Sequence, residues 1–146
     1  MTSHSEESEY TVDDSDLKIL GALIERQTVA LLQRLRTEYH FSLSEMLTIS
    51  TDIGRYVDAN VNFGTAKIMG SALREGGFVF NEELPDPIPV YEKKSKDATL
   101  DLIKALRNLD MTTNDINAIT ADMKSLGGEA QFLGRAHGLD MIDRKV

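Results

Sequence analysis

The sequence predicts an all-α protein, and three observations carry the prediction. Aliphatic residues recur at the helical period in several separate runs. Serine, threonine or aspartate precedes those runs, with an acid three residues further on in two of them. Aromatic residues make up only 6% of a chain that is 41% hydrophobic and has no tryptophan, so the core must be mainly aliphatic, which suits packed helices better than a β-sandwich. At 146 residues the chain is one domain, or one domain with an appendage. The expected arrangement is a three-helix body, a proline-rich extended linker and a C-terminal helix pair.

Charge sets off the first element. Residues 1 to 16 hold six acids (Glu6, Glu7, Glu9, Asp13, Asp14 and Asp16) and no lysine or arginine, which accounts for six of the eight net negative charges. Residues 1–14 read as a disordered acidic arm, or as an arm that orders on a partner's basic surface. Asp13 to Asp16 also supply a cap and favourable negative charge for the helix that follows. The remainder, with 18 acids against 16 bases, is neither a nucleic-acid mimic nor a basic nucleic-acid binder.

Residues 15–80 read as the helical body. The first helix, to about Tyr39, carries Leu17, Leu20, Ile24, Leu31 and Leu35 as one stripe, with Gln27 inside it. Ile19, Leu23 and Ala30 flank that stripe, and Val29 and Leu32 widen it. Such coverage exceeds what one neighbour requires and points to a second, with another subunit as a candidate. Gln27 either pairs with its symmetry mate in a helix–helix seam or reaches solvent at the stripe's edge. The second helix has the best local signal: Ser42 as N-cap, Glu45 completing a capping box, and Phe41 with Met46 as a hydrophobic staple. It carries Met46, Ile49, Ile53, Tyr56 and Val57 inward and is expected to end near Asn60. Asn60 to Gly64 reads as a loop. A third helix follows from Thr65, with Ile68, Met69, Ala72 and Leu73 inward, and Ala66 and Gly70 spaced to let another helix approach. Gly76-Gly77 ends it, and Phe78-Val79-Phe80 is a short strand or an apolar anchor.

All three prolines fall at 85, 87 and 89, so residues 81–97 read as an extended linker. Its Lys93, Lys94 and Lys96 form either a solvated turn or an anion or partner contact. Residues 98–128 read as the helix pair. Leu102, Ile103, Leu106 and Leu109 stripe its first helix. Thr112 and Asp115 cap the second, Met111 and Ile116 staple it, and Ile116, Ile119, Met123 and Leu126 line its face, with Gly127-Gly128 as the stop. Residues 129–146 read as a flexible tail or short helix around Ala130, Phe132 and Leu133.

The run LIKALRNLDMTTNDINAITADMKSLGGEAQFL, within residues 101–133, resembles the C-terminal helix-pair segment of flagellar P-ring proteins. The matching residues are Ala105, Leu106, Leu109, Thr112, Asp115, Ala118, Ile119, Lys124 and Gly127. The long β-rich body of a ring subunit has no counterpart here. The resemblance implies a shared oligomer-packing module and nothing more.

Chemistry-bearing residues are sparse. There is no cysteine, hence no disulfide, thiolate nucleophile or cysteine metal site. His4, His40 and His137 share no metal or catalytic spacing, and no phosphate-loop or dinucleotide glycine pattern occurs. No apolar run is long enough to span a membrane, and no basic-then-apolar secretory signal is visible. The expectation is therefore a non-enzymatic helical assembly or adaptor subunit without cofactor or metal, flagellar-like or phage-like, cytoplasmic or assembly-associated, forming a homo-oligomer or joining a larger protein complex. Its candidate interaction residues are Leu17, Leu20, Ile24, Gln27 and Leu31 of the first helix and Leu102, Leu106, Ile116, Ile119 and Met123 of the pair. The alternative is a small helix-turn-helix regulator reading nucleic acid through Asn114 and Asn117, which Asp115 and Asp122 on the same helix oppose.

Overall fold

The computed structural model describes residues 13–145. Four helices make up the described residues, with no strand: α1 (Asp14–Tyr39), α2 (Leu43–Glu75), α3 (Pro87–Asn108) and α4 (Thr113–Lys145). They pack as a bundle around one core that includes Leu35, Ile49, Ile53, Leu102, Leu106, Ile119 and Leu126. Each helix runs antiparallel to the next, so α2 and α4 are parallel. The partners show it: Tyr56 lies against Gly127, Val61 against Gly134 and Ile68 against Gly138.

In a regular up-and-down bundle two helices so related sit diagonally and keep apart. Here they make the most extensive contact in the molecule, with α3 laid chiefly on α2 and α1 chiefly on α4. Glycine is the cause. A Cβ at Gly64 would collide with the carbonyl of Gln131, and one at Gly134 with the carbonyl of Val61 and the amide of Thr65. Only a residue without a side chain lets the two backbones touch. The Thr65 hydroxyl, 3.1 Å from the Val61 carbonyl and 3.0 Å from that of Gly134, ties them at the same level.

The capping signals act as read. Asp13 and Asp16 exchange side-chain bonds with each other's backbone amides at the start of α1, Ser42 and Glu45 at α2, and Thr112 and Asp115 before α4. Met111 and Ile116 are both buried. Asp110 takes a positive φ of 69° in the α3–α4 joint, a conformation that aspartate tolerates better than most residues.

Several boundaries differ from expectation, and each has a packing reason. The loop at Asn60–Gly64 does not exist: α2 runs through it. Asn60 turns its amide into the core, where its Nδ2 donates to the Tyr56 carbonyl (2.8 Å) and its Oδ1 accepts from Ser95 Oγ and Gln131 Nε2 (both 2.9 Å). The body therefore has two helices rather than three. The extended linker is confined to residues 76–86. Pro87 and Pro89 sit in the first turn of α3, where the missing amides would have had no helical acceptor. Asp86 caps that turn through Ile88 N and pairs with Arg74 of α2. Gly70 gives Ile88 the space to approach. Phe78 and Phe80 stack edge to face, 5.1 Å apart, in a connection that is not a strand. Gly127-Gly128 is not a stop, and residues 129–145 are neither a flexible tail nor a short helix but the second half of α4. The acidic arm lies outside the described residues except for Asp13 and Asp14.

The helix pair is not a separable unit. Of all helix pairs that touch, α3 and α4 touch least, because each packs on α2 instead.

Tyr56 completes the α2–α4 seam. Its hydroxyl donates to the Met123 carbonyl at 2.7 Å, and it fills the space where Gly127 lacks a side chain. Burial pushes its phenol above the ordinary value. Above about pH 10 the unfolded chain gives up this proton while the folded chain keeps it, so stability falls as pH rises. Tyr56→Phe should remove a step above pH 10 from the tyrosine absorbance titration and lessen the alkaline loss of stability, at a cost near neutrality of about 1 kcal/mol for the missing hydrogen bond. An unchanged titration curve would contradict this reading.

Candidate functional site

The start of α1 and the end of α4 diverge over α2 and leave an apolar groove of about 460 Å³. Asp16, Ile19 and Leu20, spaced as one helical face, form the α1 wall. Phe132, Ala136 and Leu139, at i, i+4 and i+7, form the α4 wall with Arg135, and Ile68 of α2 contributes between them. Two packing details hold this shape. The Asp13–Asp16 capping box fixes where α1 begins. Gly138 lets α4 settle onto Ile68, whose side chain would crowd any larger residue.

Three large apolar side chains remain open to solvent here: Ile19 at 57%, Phe132 at 50% and Leu139 at 36% exposure. Arg135 lies over the Phe132 ring, 5.6 Å from its centroid, and the Asp16 carboxylate accepts from the Asp13 amide. The walls therefore offer apolar contact with one charge of each sign at the edge. A second opening of about 400 Å³, whose lining includes Ile24, Val29 and Val57 with the acids Glu25 and Asp58, lies between α1 and α2. α1 is thus seated firmly on α4 and loosely on α2.

Ion pairing reinforces that seat. Arg34 of α1 donates Nε to Glu38 at 2.8 Å and Nη1 to Asp122 of α4 at 2.7 Å. The hydrogen bonds to Glu38 and then Asp122 raise its pKa further, so the guanidinium stays charged throughout the accessible range.

Most of the candidate interaction residues satisfy their apolar character inside the chain. Ile24, Leu31, Leu102, Leu106, Ile116, Ile119 and Met123 are all buried in the core. Leu17 and Leu20 are half-buried, and Leu20 lines the groove. Gln27 meets the Ser125 hydroxyl at 3.5 Å across the α1–α4 seam, which gives it a partner within the chain. The second neighbour implied by the broad stripe of α1 is therefore in part α4 itself. Asn114 and Asn117 are exposed on the first turns of α4, and His40, in the joint between α1 and α2, and His137, on α4, are exposed and far apart in the chain. Among the described residues no three of the histidines and acids are grouped to hold a metal ion, and no helix is long and apolar enough to cross a membrane.

Ile68, Phe132, Arg135, Ala136 and Leu139 were not among the candidates. The spacing of 132, 136 and 139 was the available signal, hidden because residues 129–146 read as a flexible tail or short helix rather than as the end of a long one. The positions that carry the P-ring resemblance also have local roles: Leu106 and Ile119 are core, Thr112 and Asp115 are caps, and Gly127 receives Tyr56. The fold and site together define a helical bundle with an apolar groove at one end. No family model, curated protein or solved structure matches the chain.

Proposed function

We propose that this chain is a non-enzymatic helical adaptor or assembly subunit that seats another polypeptide on the apolar surface its own fold leaves open. The observation that supports the reading is the convergence of Ile19, Phe132 and Leu139 on one groove. Single exposed apolar residues are ordinary on a protein surface, whereas several sharing one concavity favour a contact site. Covering each half-exposed side chain would contribute on the order of 1 kcal/mol, enough together to support a specific contact once shape and charge add to it.

The test is the size of the protein in a native extract. It should run in a complex larger than the monomer, and Phe132→Ser should return it to the monomer's mass while its thermal melt stays unchanged. A wild-type chain that runs as a free monomer in that extract would sink the reading.

A further inference from the structure

We infer that a second copy of this chain occupies the groove, related to the first by a two-fold axis, with the α4 wall of each copy laid in the groove of the other. The inference rests on the adaptor or assembly reading and names the partner of that same site.

Charge selects the occupant. The groove is lined by two charged side chains, one on each wall: Asp16 on α1 and Arg135 on α4. Among the described residues they do not pair with each other. Arg135 is exposed, and the only partner of its guanidinium there is the Phe132 ring, 5.6 Å away at its centroid. Asp16 accepts the Asp13 amide through one carboxylate oxygen at 3.2 Å, which leaves the other oxygen for a further donor. A partner of a single charge sign would set a like charge against one of these walls. A two-fold pair does not, because it places residue i against j and j against i. Arg135 of each copy then meets Asp16 of the other, and one contact answers both charges.

Shape agrees with charge. Phe132 and Leu139 lie about two turns apart on one face of α4, roughly 10 Å, and both are exposed, as Ile19 is on the facing wall. The α4 wall is therefore at once a side of the groove and an apolar ridge. Laid in a second groove, that ridge covers Ile19, and the two-fold repeats the contact. The chain's net charge of −8 opposes approach from a distance. At about 0.15 M salt, however, charges further apart than about 8 Å are largely screened, whereas those at the contact still act.

The test is sedimentation equilibrium of the purified full chain at that ionic strength. It should show a monomer–dimer equilibrium. Phe132→Ser, Asp16→Arg and Arg135→Asp should each raise the dissociation constant by about tenfold or more, and circular dichroism would check that each variant folds. The two charge variants are then mixed. The first has arginine on both walls and the second aspartate on both, so each repels its own kind, whereas a one-to-one mixture restores both pairs and should dimerise about as tightly as the unaltered chain. A mixture that stays monomeric, or a dimer that none of the three variants weakens, would overturn the inference. A purified chain that is monomeric overturns it as well, and the native extract then separates the two readings. A larger complex there that Phe132→Ser abolishes leaves the adaptor reading standing; a free monomer there removes both.

Discussion

Gly134→Ala should destabilise the protein by about 3 kcal/mol or more, although alanine is the better helix former by roughly 1 kcal/mol. The added Cβ would meet the Val61 carbonyl and the Thr65 amide, both backbone, so no side chain can swing aside. Relief requires α2 and α4 to separate. That loosens the Thr65 hydroxyl's hold on the Gly134 carbonyl and shifts Gln131, which bonds both Lys67 and Asn60. Against a total stability of about 5–15 kcal/mol for an ordinary domain, the loss is large. Gly128→Ala is the matched control. Gly128 is exposed and has open space at its missing Cβ, so the same chemical change should stabilise by about 0.5–1 kcal/mol. Urea unfolding followed by helical circular dichroism measures both. Equal effects of one sign would mean that the close α2–α4 contact is not what holds the bundle in this form.

That pair of glycines also marks where sequence reasoning stops. Periodicity and caps were legible because they are local: Ser42 with Glu45 and Thr112 with Asp115 are satisfied within one turn. Gly127 and Gly128 are adjacent and identical in sequence, yet one receives Tyr56 and the other faces solvent. Which is which depends on a residue 71 positions away, so the dipeptide read as a helix stop. The prolines failed in the opposite sense. They cannot stand within a helix, but a first turn tolerates them, and only the cap and ion pair of Asp86 show that a helix starts there. Asn60 read as a breaker because its polarity suits a loop, whereas three partners from three helices make it a core residue. The groove suffered by inheritance. Phe132 and Leu139 align only if α4 continues past residue 128, and that continuation rests on glycine contacts with α2. Ile19, on a helix whose extent was legible, was visible as a flanking apolar residue from the start.

Asn60→Ala should be the most damaging polar substitution, at about 3 kcal/mol. The truncation strands two donors at once. The Ser95 hydroxyl, buried on α3, loses its acceptor, and so does the Gln131 amide on α4. Stranding the buried Ser95 hydroxyl costs about 1–3 kcal/mol, more than the net value of the bond itself, and the half-buried Gln131 amide adds a smaller amount. The loss of the Nδ2 bond to the Tyr56 carbonyl matters less, since a mid-helix carbonyl keeps its backbone partner. Ser95→Ala removes a donor instead of an acceptor. It leaves Asn60 Oδ1 with Gln131 and should cost only about 1 kcal/mol. The double variant then discriminates between mechanisms. With Ser95 already alanine, Asn60→Ala strands one group rather than two, so the combined loss should fall short of the sum by about 1 kcal/mol. Simple additivity would mean that the two side chains do not act on each other. The consequence would be felt first in α3, which is packed chiefly on α2 and tied to it at this level by the Asn60–Ser95 bond. Its amides should exchange faster in Asn60→Ala than those of α4, which keeps its backbone contact with α2 at Gly64 and Gly134. Glycine contact therefore sets how closely the central pair meets, and the asparagine sets where the third helix sits upon it.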